Sequence, residues 1–471
     1  MTIELLGQRH WKDITNILSN DPELGRNGAS AQKILSSALP NGGWEGRLVR
    51  PFTWAFERVA FMYVDSRKLL YKATYWATAV TPYGMKEISG KKNLESIAKG
   101  STVTLLPPHI SEGDYAFGPY FRHEGLPQGH PVAGLNLITD RRGGFHQFVL
   151  KGIFDSERII KIDRDGGTNE LTAFRKVIGQ VHDRGANTII FPGATRDRTN
   201  SAYGTIGERV LKLLLMAQED SEYTIYAVPV TVTWDRQFRA QDKVGQNVTG
   251  YVTQGASELG DLVFQVLGYS VVNPFYVHVG RPLNLRGYLA ENEHVTQAAR
   301  ARHAAKKLVR DYNEELTAGI YATPSNLAAA ALKSFSSFQG SVTDLADEVK
   351  KAAEITGIQP QAMDYGSIAA ISSTIANSGY ISNDDFVSAV RDRLAFAHAR
   401  GILMPAIVSH ASASEVLGLA ERRGALLDFA SYDAQRDAWH MKDGLLAFYY
   451  AGAINKRIEQ VKGNEQALPS T

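Results

Sequence analysis

Ser101-Thr-Val-Thr-Leu-Leu106, running into Pro107, Pro108 and His109-Ile-Ser-Glu-Gly-Asp114, is the stretch on which the reading of this chain turns. A short run of β-branched and apolar residues reads as a buried strand, and the prolines end it. The pattern recurs where Thr188 to Phe191 runs into Pro192, Gly193 and Thr195. It recurs again where Tyr226 to Val232 runs into Trp234 and Asp235. Between the first two strands Leu171, Phe174, Val177, Ile178 and Val181 fall on one helical face, with Thr168 as N-cap and Gly185 as stop. Strand, loop and helix alternating over residues 96–290 predict an α/β layer, a mixed sheet flanked by helices. Ligands of open α/β sheets sit beyond the carboxyl ends of the strands. If the three strands are parallel neighbours, the polar residues just past their ends become candidates for one site.

On either side the pattern is helical. Residues 1–95 read as an N-terminal helical region in which Arg47, Arg50, Arg58, Arg67, Lys68 and Lys72 mix with Trp44, Trp54 and Trp76. This is either a helical hairpin packed on the α/β region or a peripheral membrane contact, because cations with aromatics suit a membrane interface. Residues 291–471 read as a helical C-terminal region, with helices over Ala298 to Leu316, Ser325 to Ser334, Ser341 to Ile355, Asp384 to Arg400 and Gly444 to Val461. Strand signals largely vanish there.

A net charge of +2 lacks the dense basic face of a nucleic-acid binder, so no nucleic-acid partner is expected. With no cysteine there is neither a disulfide nor a thiolate nucleophile, and any thiol chemistry must come from a substrate. No apolar run is long enough to span a membrane and no secretory leader is legible. A cytoplasmic protein, peripheral on the cytoplasmic face of a membrane if residues 1–95 make that contact, is the expectation.

His109 and Asp114 put an imidazole and a carboxylate at a strand end. An imidazole titrating near neutral pH can take a proton from an attacking hydroxyl, while a carboxylate on its other nitrogen fixes the tautomer. Small residues at Gly193 and Ala194 followed by Arg196 and Arg198 suit an anion, since guanidinium grips phosphate in a bidentate manner. Lys161 and Arg164 end another alternating stretch and are either edge-strand charges or phosphate ligands. His123, Glu124 and His130 match no common metal spacing, and no metal is assigned.

These blocks resemble, in order, those of the glycerol-3-phosphate and dihydroxyacetone-phosphate acyltransferases of the HxxxxD superfamily. Pro108 to Asp114 is similar to the first block, Ala133 to Leu137 to the segment before the second, and Ile160 to Arg164 to the second. Phe191 to Arg198 resembles the third, usually FPEGTRSR, and Val228 to Val230 with Trp234 to Arg236 the fourth. His278 to Leu289, Tyr312 through Leu327 and Leu446 to Tyr450 are similar to later segments of the larger members.

The resemblance implies an acyltransferase core moving a fatty acyl group from acyl-CoA or acyl carrier protein to a phosphorylated three-carbon acceptor, with no cofactor. It implies His109 as general base and Asp114 as its orienting partner. Ser111, Lys161, Arg164, Gly193, Thr195, Arg196 and Arg198 would meet substrate, with Pro229 shaping the floor. One departure stands out: Gly193 and Ala194 replace the family's glutamate and glycine. A lysolipid or other acceptor, or an inert relative that binds lipid or acyl carrier, are the alternatives.

Overall fold

The computed structural model describes residues 87–108, 121, 124–127, 129–134, 160–162, 167–192, 208–237, 240–250, 274–422 and 425–467. The tryptophan- and arginine-bearing N-terminal stretch lies outside the described residues. The main sheet comprises β1 (Glu87–Ser89), β2 (Thr102–Leu106), β3 (Gly129–Gly134), β4 (Ile160–Ile162), β5 (Asn187–Ile189), β6 (Ile225–Trp234), β7 (Phe275–Val279) and β8 (Leu283–Asn284). Its order is β1-β7-β6-β2-β5-β3-β4, with β8 also on β6. The strands β6, β2, β5, β3 and β4 run parallel, while β7 and β8 are antiparallel to β6. The sheet is thus mixed, mostly parallel and flanked by helices, as the alternation predicted, but it begins earlier than expected: β1 belongs to it, although residues 1–95 read as helical, because three residues are too few to show alternation.

The two faces of this sheet differ in chemistry. Thr102, Thr104, Thr188, Thr231 and Thr233 are all buried, and strand register puts them on one face. Val103, Leu105, Val228, Val230 and Val232 form the other and are buried with no polar atom to satisfy. The threonine face carries a layer of three helices: α1 (Gly167–Asp183) on β5, α2 (Glu208–Asp220) between, and α5 (Gln297–Ala318) on β6. Within α1, Phe174, Val177, Ile178 and Val181 are buried and Leu171 partly so. The helix starts at Gly167, so Thr168 lies inside its first turn rather than capping it. Gly185, at φ 71°, ends the turn in a left-handed conformation that glycine adopts without strain.

Pro229 sits inside β6, a place where proline is normally excluded. Its carbonyl accepts from Gly280 N at 2.9 Å, so the nitrogen that lacks a hydrogen also faces β7. There the antiparallel edge breaks at Gly280, Arg281 and Pro282 before resuming as β8. The proline therefore removes no bond to β2, whose Leu106 is its register partner.

Two hydrophobic cores result. The first contains the sheet, α1, α2 and the apolar face of α5 as far as Ile320. The second contains α3 (Ala240–Thr249) and most of the chain from Ala322 onward. It is built from α6 (Pro324–Ser334), α7 (Val342–Ile355), α8 (Tyr365–Ala376), α9 (Asn383–Ala399), α10 (Ala413–Arg422) and α11 (Gly444–Ala467). The helix α6 is buried from Pro324 to Leu332 because its four consecutive alanines let neighbours approach from every side. One expectation fails in this region. A three-stranded antiparallel sheet joins Ala430–Asp433, Ala438–Met441 and Tyr380–Ser382, although strand signals largely vanish from the sequence after residue 290. Its strands are three or four residues long, too short to show alternation, and are held by Phe386, Tyr432 and Trp439 packing across them.

Between the cores runs a polar ladder. Thr231 Oγ1 donates to the Leu316 carbonyl at 2.7 Å, Thr233 Oγ1 accepts from Tyr321 N at 3.2 Å, and Asp235 accepts from Ser325 N at 3.0 Å. Gln237 completes it, its N–H donating to Tyr450 Oη at 3.1 Å and its side-chain oxygen accepting from Tyr449 Oη. Alternate positions of one strand and its extension thus hold the chain as it passes from α5 into α6 and, later, α11. Arg236 adds a bidentate pair to Asp428, both bonds at 3.0 Å.

Candidate functional site

The chain leaves β2 for His109 through Pro107 and Pro108, both buried. It leaves β5 for Gly193 through Ile190, whose N–H still bonds Leu105 O at 2.9 Å, then Phe191 and Pro192. Register sets the levels: Leu105 pairs with both Ile189 and Val228, and Leu106 with Pro229. The exits toward His109 and Gly193 are therefore adjacent and at one height, beside Pro229. On the far side of β5, β3 begins alongside it and hands over to β4, where Lys161 pairs with Ala133 and the strand ends at Ile162, two residues before Arg164. Five parallel strands thus open on one edge, and the predicted loops depart from that edge. His109, Ser111, Asp114, Arg164, Gly193, Thr195, Arg196 and Arg198 themselves lie outside the described residues, as does the side chain of Lys161.

The region beneath that edge is held firmly. Tyr312 of α5 donates its hydroxyl to Leu106 O at 2.8 Å, and Tyr312 is fully buried. This bond fastens α5 to the last residue before the two prolines. Below it, His182 is wholly buried against Thr104 Oγ1 at 3.1 Å, and Thr104 in turn meets Thr188 Oγ1 at 2.9 Å. Burial pulls the His182 pKa down to about 3, with nearby His130 adding to the effect. This imidazole is neutral and structural: it joins α1 to the two strands whose exits carry the candidate chemistry.

A second polar group sits at the same edge on the other side of β6. His278 pairs in register with Thr231 on one side and Ser89 on the other. Its Nδ1 lies 2.7 Å from Ser89 Oγ, which accepts from the Tyr321 hydroxyl at 2.7 Å. With Tyr321 donating, the serine hydrogen is free for Nδ1, which leaves the imidazole proton on Nε2. Burial and the charge of Arg457 both push the His278 pKa down. Gly319 closes over this group. A Cβ there would stand 2.4 Å from Thr231 Oγ1 and 2.8 Å from His278 Cδ2, so only glycine fits.

Comparison with protein-family models and with characterised proteins gives no match. Residue chemistry and geometry therefore carry the functional reading alone. Sequence reasoning has His278 and Tyr321 only as parts of longer segments and lacks Ser89 altogether. No local signal could join them, because Ser89 lies 189 residues from His278 and 232 from Tyr321. Of the three residues weighed for a metal, Glu124 pairs with Lys91 at 2.8 Å and His130 is buried in β3. Among the described residues no group of three or more His, Cys, Asp and Glu could hold a metal ion, and no helix is long and apolar enough to cross a membrane.

Proposed function

We propose that this protein is an O-acyltransferase of the glycerol-3-phosphate acyltransferase type, with His109 as general base. The observation that supports it is convergence. The strand before His109 has as its parallel neighbours the strand before Gly193 to Arg198 and the strand carrying Pro229, although Gly193 and Pro229 lie 84 and 120 residues beyond His109 in the chain. A sheet edge of this kind is where α/β folds bind ligands.

In the mechanism, the acceptor hydroxyl oxygen attacks the thioester carbonyl carbon as His109 takes the hydroxyl proton. Asp114 orients the imidazole and stabilises its charged form. Backbone N–H groups at the turn around the motif receive the oxyanion, an effect of about 3–4 kcal/mol per donor in other enzymes. When the C–S bond breaks, the carbon–oxygen ester bond remains and His109 gives its proton to the departing thiolate. Lys161, Arg164, Thr195, Arg196 and Arg198 hold the acceptor phosphate, with Ser111, Gly193 and Pro229 shaping its site. The donor is acyl-CoA or acyl carrier protein and no cofactor takes part. The reaction runs on the cytoplasmic side, with the segment before β1 either packed on the catalytic domain or in peripheral contact with a membrane.

Gly193 in place of the family's glutamate supports a second reading, in which the acceptor is a lysolipid or another hydroxyl compound. A panel of acceptors with one labelled acyl donor separates the two. His109→Ala should lower the rate by roughly 100- to 10,000-fold with thermal stability unchanged. Retention of a substantial rate removes His109 from the chemistry. If no acceptor is acylated by the unaltered protein, the inert carrier-binding relative is the better description.

A further inference from the structure

A groove of about 450 Å³ opens between the C-terminal half of α5 and α11. Its volume lies in the range of small-molecule sites. Gln460 ties the two helices across it, donating to the Glu314 carbonyl at 3.1 Å. At the rim, Arg310 and Glu314 are more than half exposed, and Arg310 is engaged by Asp311 at 3.1 Å. Glu459 is also exposed, with its charge felt by Lys333.

Deeper in, the balance of charge changes. Lys456 lines the groove, is partly buried, and has no ion pair or hydrogen bond among the described residues. Arg457 beside it bonds only the side chain of Gln460 among the described residues, and its Nε is buried without a partner. Burial pushes the guanidinium pKa down. Asn313, also lining the groove, has its Oδ1 buried and unpartnered. Guanidinium groups removed from water are normally paired with a carboxylate or phosphate, because an uncompensated charge there is costly. Two adjacent half-buried cations with no ion pair among the described residues, one of them lining a groove whose carboxylates Glu314 and Glu459 stand exposed at its rim, describe a site that can take an anion.

We propose that this groove is a binding site for a phosphate ester, with Lys456 and Arg457 supplying the charge. Its α5 wall packs on β6, whereas the strands β4 and β5 lie on the opposite side of β2 in the sheet. Its α5 wall is fastened, through the Tyr312 hydroxyl, to the strand end that leads to His109. Acceptor and donor would then approach His109 from opposite sides, and the groove takes the phosphates of the acyl donor. Coenzyme A and a phosphopantetheine arm share that chemistry. The assignment to the donor rests on the acyl-transfer reading; the anion site does not.

The test is calorimetric titration of the full chain with coenzyme A, phosphopantetheine, glycerol 3-phosphate and inorganic phosphate, each without an acyl group so that turnover plays no part. Coenzyme A or phosphopantetheine should bind. The double variant Lys456→Gln, Arg457→Gln should weaken that binding by roughly tenfold or more while leaving glycerol 3-phosphate unaffected. The single variant Lys456→Gln, which keeps the arginine, should weaken it in the same direction and serves if the double variant does not fold. Unchanged affinity in the variants overturns the site, as does failure of all four probes to bind the unaltered protein. If the substitutions instead weaken glycerol 3-phosphate, the donor assignment is overturned. Binding that is intact in His109→Ala, in a protein that acylates nothing, would keep the groove and discard the acyl-transfer reading.

Discussion

The two cores of this molecule are built on opposite plans. The sheet core is assembled from pairings distant in sequence, β1 with β7 and β2 with β5 and β6, and it buries threonines and a neutral histidine between strands and helices. The second core is assembled from capped helices close in sequence. Ser341 and Asp344 form a capping box at α7, Asp364 caps α8, Ser382 caps α9 and Thr323 caps α6. The polar ladder on β6 joins them. The first plan suits a site, because strand ends fixed by neighbours on both sides hold loops in place. The second suits a buttress, because helices closed by local caps need little from the rest of the chain.

The comparison can be broken where the buttress is densest. Phe448 is buried in the second core, and Phe448→Ala should cost about 3–5 kcal/mol. If the ladder couples the cores, calorimetry will still show one transition, moved down as a whole; an early melt of the helical part alone would mean that the cores are independent. Cutting the ladder is the complementary experiment. Asp235→Ala strands Ser325 N and should cost about 1–3 kcal/mol while separating the transition into two. A single sharp transition in that variant would assign the coupling to apolar packing instead.

Lowering the pH should act on the sheet core through a buried imidazole. The folded pKa of His182 lies near 3 against 6.5 for the free side chain, so the unfolded chain binds this proton first. Stability from this group is complete above pH 6.5 and is lost as pH falls toward 3, by about 2 kcal/mol at pH 5. His182→Gln should flatten that part of the pH profile, and an unchanged slope would place the dependence elsewhere. The smallest effect belongs to the caps. Ser341→Ala should cost about 1 kcal/mol and be felt in hydrogen exchange over α7 while β2 and β5 stay protected.

Much of this architecture is legible in the chain. The strands at Ser101–Leu106, Thr188–Phe191 and Tyr226–Val232 are visible because proline and glycine punctuate them, and observed bounds differ by one to two residues. Five helices after residue 290 are visible because serine, threonine and apolar periodicity mark them, and the helix predicted from Ala298 runs Gln297–Ala318. Less legible is the company each element keeps. Helix α5 reads as one more helix of the C-terminal region, yet its buried residues, Leu308, Tyr312 and Leu316, pack with the sheet. The candidate site is legible only as separate blocks.

By itself the sequence determined which segments extend and which coil, where each stops, and which residues could do chemistry, since propensity, capping and turn preferences act over a few neighbours. Only the tertiary structure decided that β2 lies between β5 and β6, that Ser89 meets His278 and Tyr321, and that Lys456 and Arg457 stand together with no ion pair among the described residues. Those are contacts between residues far apart in the chain. Register, burial and uncompensated charge select them, and none of these quantities exists until the chain has folded.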